Sequence, residues 1–248
     1  MSKKWALLFA ILVMDGLLLG SMAGIMTAKN LKPVDNNTDI VVESAVESAV
    51  ESAAETQAET PAPVQKTVAL TFDDGPHKVC TPRLLDGLKE RGVHASFFLM
   101  GENIAGNEDL VRRIQKEGHL IGNHSYRHLQ LTKAKEDMVC ESIEKTEEII
   151  NEITGSRPQY LRPPYGDWNE ELECRVNLTT VLWSVDSLDW KLQNTPQIVK
   201  RVLKKTGDGD IILMHDIFPT SVDAALELVD ALKAQGYTFV TVDELMID

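Results

Sequence analysis

Two histidines four residues apart, His124 and His128, stand in the segment His-Ser-Tyr-Arg-His. On a helical turn that spacing points both imidazoles the same way, and two neutral imidazoles facing one point suit a single divalent ion. An isolated pair of this kind is more often two surface histidines. This pair has company, because Asp73-Asp74 offers a hard, negative oxygen from an earlier turn. Two histidines and one carboxylate leave a metal position open for water, as a hydrolytic site requires. The competing reading of Asp73-Asp74-Gly75 is a polar turn, but adjacent carboxylates repel unless a cation or base occupies them. Further along come Arg162, Asp186, Asp189 and His215-Asp216, groups able to move a proton or hold a charge.

The elements that must carry these groups alternate between strand and helix. Residues 68–72 are apolar and β-branched and stop at Asp73-Asp74-Gly75-Pro76, which is turn chemistry. Six more strands are expected at 95–100, 119–122, 159–161, 180–185, 211–214 and 238–242. Helical periodicity marks 81–91, with Leu84, Leu85 and Leu88 on one face. It recurs at 110–117, 138–153, 196–205 and 222–234, and Gly155 should stop the third of these five helices. Seven strands separated by helices predict an α/β fold with a parallel sheet closed, or nearly closed, into a barrel; an open doubly wound sheet reads much the same. In either, ligands bind at the carboxyl edge of the sheet. Every group singled out above falls at that edge.

Composition removes several functional classes. The chain has 248 residues, with 25 Lys and Arg against 38 Asp and Glu, a net charge of −13. A surface that acidic repels phosphate backbones, so nucleic acid is excluded as a partner. Neither GxGxxG nor GxxxxGK[ST] is present, which leaves a nucleotide site without support. Cys80, Cys140 and Cys174 follow no CxxC spacing; Cys140 and Cys174 are candidates for a bridge, and none of the three has a thiol-protease setting.

Five motifs stand in order: Thr71-Phe-Asp-Asp-Gly-Pro76, His124-Ser-x-x-His128, Arg162-Pro-Pro-Tyr165, Asp186-x-x-Asp-Trp190 and Ile211-x-Leu-x-His215. Together they resemble the NodB-type polysaccharide deacetylases, carbohydrate esterase family 4, across residues 67–248. The resemblance implies a distorted (β/α) barrel of about seven parallel strands that removes N-acetyl or O-acetyl groups with a divalent metal, usually zinc, with cobalt or manganese as substitutes. It implies Asp74, His124 and His128 as metal ligands and Asp73 as general base. Arg162 would pair with Asp73 and aim it, His215 would be the acid, and Asp189 would orient His215. Tyr165, through its backbone N–H, would hold the oxyanion, and Trp190 and Leu213 would wall the acetyl pocket. No catalytic position departs from the pattern, and Ser125 stands where Thr or Ser is usual. Tyr126, Asp167 and Trp168 lie beside motifs and are candidates to meet sugar faces, while His94 and His119 read as structural. His77 is either a substrate contact or an exposed loop residue.

The remainder reads as delivery. Residues 1–28 open with Ser2-Lys3-Lys4 and continue as an apolar stretch interrupted at Asp15, long enough for a single membrane anchor. A cleaved signal peptide is the alternative, with Ser21-Met22-Ala23 supplying the small residues of a cleavage site. Residues 29–66 contain Glu43-Ser-Ala-Val46 repeated twice more, once with Ala for Val, and read as an acidic disordered spacer. Both leader readings export residues 67–248, either held at the outer face of a bacterial membrane or released to the wall. An exported polysaccharide deacetylase of this kind, expected to be a monomer, points to N-acetylglucosamine in peptidoglycan as substrate. Chitin-like oligomers, N-acetylmuramic acid and xylan-type O-acetyl esters are the alternatives. Membrane contact is expected through the leader alone.

Overall fold

The computed structural model describes residues 65–168 and 178–246. The leader, nearly all of the spacer, and Cys174 with its proposed bridge lie outside them. Among the described residues no helix is long and apolar enough to cross a membrane.

Among the described residues, eight strands form one sheet: β1 (Lys66–Asp73), β2 (Ser96–Leu99), β3 (Leu120–Asn123), β4 (Tyr160–Leu161), β5 (Thr179–Thr180), β6 (Val185–Asp186), β7 (Asp210–His215) and β8 (Tyr237–Val240). Their order is β5-β4-β3-β2-β1-β7-β6, and β8 lies beside the first half of β1. Every pairing is parallel. β1 is therefore the central strand, flanked by β7 over most of its length and by β8 and then β2 on the other side. Its two-residue alternation serves two cores. Val68, Leu70 and Phe72 pack in the large core with the helices, whereas Ala69 joins Phe98, Val181 and Val242 in a smaller core. Burial on both faces explains why β1 reads as a continuous apolar run.

The helices follow the predicted periods closely. They are α1 (Cys80–Glu90), α2 (Gly101–Ile104), α3 (Glu108–Lys116), α4 (Glu136–Thr154), α5 (Asp189–Leu192), α6 (Thr195–Lys205), α7 (Pro219–Ala234) and α8 (Val242–Met246). Leu84, Leu85 and Leu88 of α1 are fully buried. Gly155 ends α4 at φ 74°, a left-handed conformation that a Cβ would oppose. The Asn194 side chain caps α6 by accepting the Gln197 N–H at 3.1 Å. α2, α5 and α8, each a turn or so long, were not anticipated.

One strand expectation is overturned. Residues 180–185 are not a single strand: β5 closes one edge of the sheet and β6 lies at the opposite edge. The chain between them crosses the opening, bonding back to β4 through Val181 N–H to Leu161 O and forward to β7 through Ser184 N–H to Ile211 O. Apolar residues at both ends gave the segment one strand-like pattern, although its two ends pair with different partners. The sheet is thus a curled, incompletely hydrogen-bonded barrel whose edges one segment joins.

Candidate active site

The carboxyl ends of β1, β3, β4, β6 and β7 converge on a cavity of about 400 Å³. Eight of the ten predicted site residues line it: Asp73, Asp74, His124, His128, Tyr165, Trp190, Leu213 and His215. The other two, Arg162 and Asp189, stand fully buried behind its wall. Asp186 and Trp183 complete the lining. Trp183 had no predicted role, because it sits on the crossing segment that the pattern assigned to a strand.

Left-handed backbone is concentrated here. Asp74 (φ 72°), Ser125 (φ 63°), His128 (φ 52°), Tyr165 (φ 63°) and Leu188 (φ 55°) all adopt conformations that L side chains resist. Hydrogen bonds hold these turns in place. The Asn103 amide donates to Asp74 O at 2.7 Å. Asn123 accepts the Ser125 N–H at 2.8 Å and donates to Ile143 O of α4 at 2.9 Å. His124 and His128 therefore converge through an irregular turn, and the helical turn invoked for them is corrected. Their rings meet edge to face with centroids 5.1 Å apart.

Three donor atoms point at one spot. Asp74 Oδ1 lies 3.5 Å from His124 Nε2 and 3.6 Å from His128 Nε2. One ligand atom from each of Asp74, His124 and His128 falls within 4.8 Å of the others. His124 Nδ1 donates to Arg162 O at 2.6 Å, so in the neutral ring the Nε2 lone pair faces the Asp74 and Asp73 carboxylates. Asp74 Oδ1 is itself buried without a hydrogen-bond partner. Burial, together with the nearby His124 ring, pulls His128 below its ordinary pKa and favours its neutral, ligating form. A buried bare oxygen facing a ring lone pair is costly alone and natural around a cation. The donor set fits a divalent metal.

On one side of that spot, Asp73 Oδ1 accepts Arg162 Nη1 at 2.9 Å. The guanidinium also donates to Thr71 Oγ1 at 2.6 Å and to the carbonyls of Val181 and Leu182 at 3.2 Å each. Phe98 lies under its face, 4.2 Å from ring centroid to Cζ. On the other side, His215 Nδ1 meets Asp189 Oδ1 at 2.8 Å, and Asp189 Oδ2 accepts the His215 backbone N–H at 2.7 Å. Burial alone would lower the His215 pKa. The Asp189 hydrogen bond and charge, aided by Asp73 and Asp74, outweigh it and raise the pKa to about 9. The imidazolium is thus the form held at neutral pH. For Asp189 burial pushes the pKa up, but the bonds and charge of His215 win and it lies below the ordinary carboxylate value.

The second group of candidates divides differently. His77 Nδ1 accepts the N–H groups of Val79 and Cys80 and so fastens the start of α1. His119 Nδ1 accepts the Ala95 N–H at 3.1 Å, and burial lowers its pKa to about 4, in keeping with a structural role. Trp168 packs against the cluster of Leu131, Val139, Ile143 and Leu161, and Asp167 accepts from Gln130 and Thr132. Both have partners within the fold and both are partly exposed. Tyr126 carries the Lys145 ammonium 3.7 Å from its ring centroid. Asp186 accepts the Leu188 N–H at 2.8 Å while lining the cavity. Asp216 was named only for its place beside His215. It is fully buried beneath Gly75, accepts from Thr81, and burial raises its pKa to about 7.

The comparisons with known proteins point to one family. The polysaccharide deacetylase family model matches residues 60–180. The peptidoglycan-N-acetylmuramic acid deacetylase PdaC of Bacillus subtilis is 45% identical over 183 residues, covering 74% of this chain and 39% of that protein. The chain thus spans well under half the length of this relative. A peptidoglycan-N-acetylglucosamine deacetylase of Bacillus cereus is 43% identical over 185 residues, covering 72% of this chain and 67% of that protein. The solved structure of B. subtilis PdaC superposes with a TM-score of 0.72 at 44% identity, over 75% of this chain and 92% of that one. Identity, fold and extent lead to one conclusion: the chain belongs to the polysaccharide deacetylase family.

Proposed function

We propose that this protein is a zinc-dependent deacetylase that hydrolyses the N-acetyl group of N-acetylglucosamine residues in peptidoglycan. One observation carries the reading. A carboxylate held by a buried arginine and an imidazolium held by a buried aspartate line one cavity with a His₂-carboxylate set. Amide hydrolysis needs that asymmetry, with a base for the attacking water and an acid for the departing nitrogen.

Asp74, His124 and His128 would hold the metal, which would lower the pKa of a water and polarise the acetamide carbonyl. Asp73, aimed by Arg162, takes the proton as water attacks. The Tyr165 N–H, on a residue with left-handed backbone, would stabilise the developing oxyanion. His215 protonates the amine as the C–N bond breaks, and Asp189 keeps its ring oriented. Leu213 and Trp190 bound the space for the acetyl methyl. The sugar assignment draws on the B. cereus relative and on the expected placement of the domain outside a membrane, held there by the leader and spacer. The product would be a wall bearing new amines and less net negative charge.

The test is acetate release from purified peptidoglycan, followed by identification of the de-N-acetylated sugar. Glucosamine in the digest is the expected product. Free muramic acid alone would reassign the sugar, and no acetate from zinc-loaded protein would move the reading to an ester substrate.

A further inference from the structure

Thr71 has no part in the scheme above, yet its side chain is fully buried on the central strand two residues before Asp73. Valine would fill the same space without a polar atom to satisfy. The hydroxyl has two partners: Arg162 Nη1 at 2.6 Å and Ile212 O at 2.7 Å. A guanidinium cannot accept and a carbonyl cannot donate, so the polarity of both bonds is forced. The hydroxyl gives its one proton to Ile212 and presents a lone pair to Arg162. The same Nη1 serves Asp73, while Nε and Nη2 serve Val181 O and Leu182 O on the crossing segment. The arginine fork is thus fixed from β1 on one side and from the crossing segment on the other.

We propose that Thr71 is a positioning residue for the base: its hydroxyl, oriented by the Ile212 carbonyl, aims Arg162 and through it the Asp73 carboxylate. The inference rests on the hydrolytic reading of the site.

It is tested with Thr71→Val and Thr71→Ser, each alone and combined with Asp73→Asn. The readouts are kcat and KM for acetate release from N-acetylglucosamine oligomers, zinc content and thermal unfolding. Thr71→Val should lose roughly 10–100-fold in kcat, the scale seen when a supporting hydrogen bond is removed, with KM and zinc content held. Thr71→Ser should keep the parent kcat. In the Asp73→Asn background Thr71→Val should cost nothing further, because the two act as a unit. Unchanged kcat in Thr71→Val would overturn the proposal. So would equal losses in the Val and Ser variants, or the same loss with and without Asp73. Should Thr71→Val fail to fold, Thr71→Ala is the second hydroxyl-free variant, and a kcat loss in Thr71→Ser would by itself be contrary. An inactive parent would sink the hydrolase reading and this inference with it; an active parent indifferent to Thr71→Val would sink the inference alone.

Discussion

On one flank of the cavity, Asp73 meets Arg162, whose guanidinium is anchored by a hydroxyl on β1 and two carbonyls on the crossing segment. On the other, His215 meets Asp189, whose carboxylate grips both the ring and the backbone of the same residue. The first arrangement is built from three distant parts of the chain, and the second from the end of β7 and the start of α5. The contrast follows from what each flank must control. A base needs its oxygen at a fixed point, which a rigid planar fork with several anchors provides. An acid needs its proton retained at working pH, which a single buried counter-charge achieves.

Replacing the functional group on each flank gives the largest expected effects. Asp73→Asn keeps shape and removes the base, and should cost about 10²–10⁴ in kcat while the metal stays bound. His215→Gln should cost a comparable factor on amide substrates and much less on acetyl esters, whose leaving group needs little protonation. Parallel rates on an N-acetyl and an O-acetyl substrate make that comparison. Equal losses on both would mean that His215 does something other than protonate nitrogen.

Replacing the partners separates the flanks further. Arg162→Met strips the buried partner from Asp73 and should destabilise the fold by about 3–5 kcal/mol, read from denaturant unfolding. Asp189→Asn should act mainly on pH dependence. The carboxylate raises His215 to about 9 from an ordinary 6.5, so the acid form persists through neutrality and is lost as pH rises past about 9. Without that charge the pKa falls, and the alkaline limb of kcat should move down towards or below neutral pH. A limb that stayed in place would break the assignment of Asp189. The smallest expected effect is Gly75→Ala. Its Cβ would overlap the Asp216 carboxylate, and a cost of about 1–3 kcal/mol in stability should follow.

The two flanks also differ in how far the sequence foretold them. The strand ends of β1 and β7 were readable because each is a buried apolar run cut by polar residues, so Asp73, Asp74 and His215 fell at the correct edge. The helices α1, α3, α4, α6 and α7 were found within a few residues from their periods and from Gly155. The crossing of residues 180–185 was not legible, since a segment paired at one end to β4 and at the other to β7 has the same composition as a strand. The anchors of Arg162 were hidden for the same reason, and Trp183 with them. Thr71 stood in a recognised motif, but its bond to Arg162 joins positions far apart in the chain. An inward hydroxyl two residues before a carboxylate on one strand was the available signal.

The most direct measurement joins metal content to acetate release in the same preparations of the parent, Asp73→Asn and Asp74→Asn. The parent should bind one divalent ion, lose activity when stripped and recover it with zinc. Asp73→Asn should keep the ion and lose activity, whereas Asp74→Asn should lose both together. Activity indifferent to stripping, or an Asp73→Asn protein that fails to hold the ion, would contradict the division of base and metal ligand between these neighbouring aspartates.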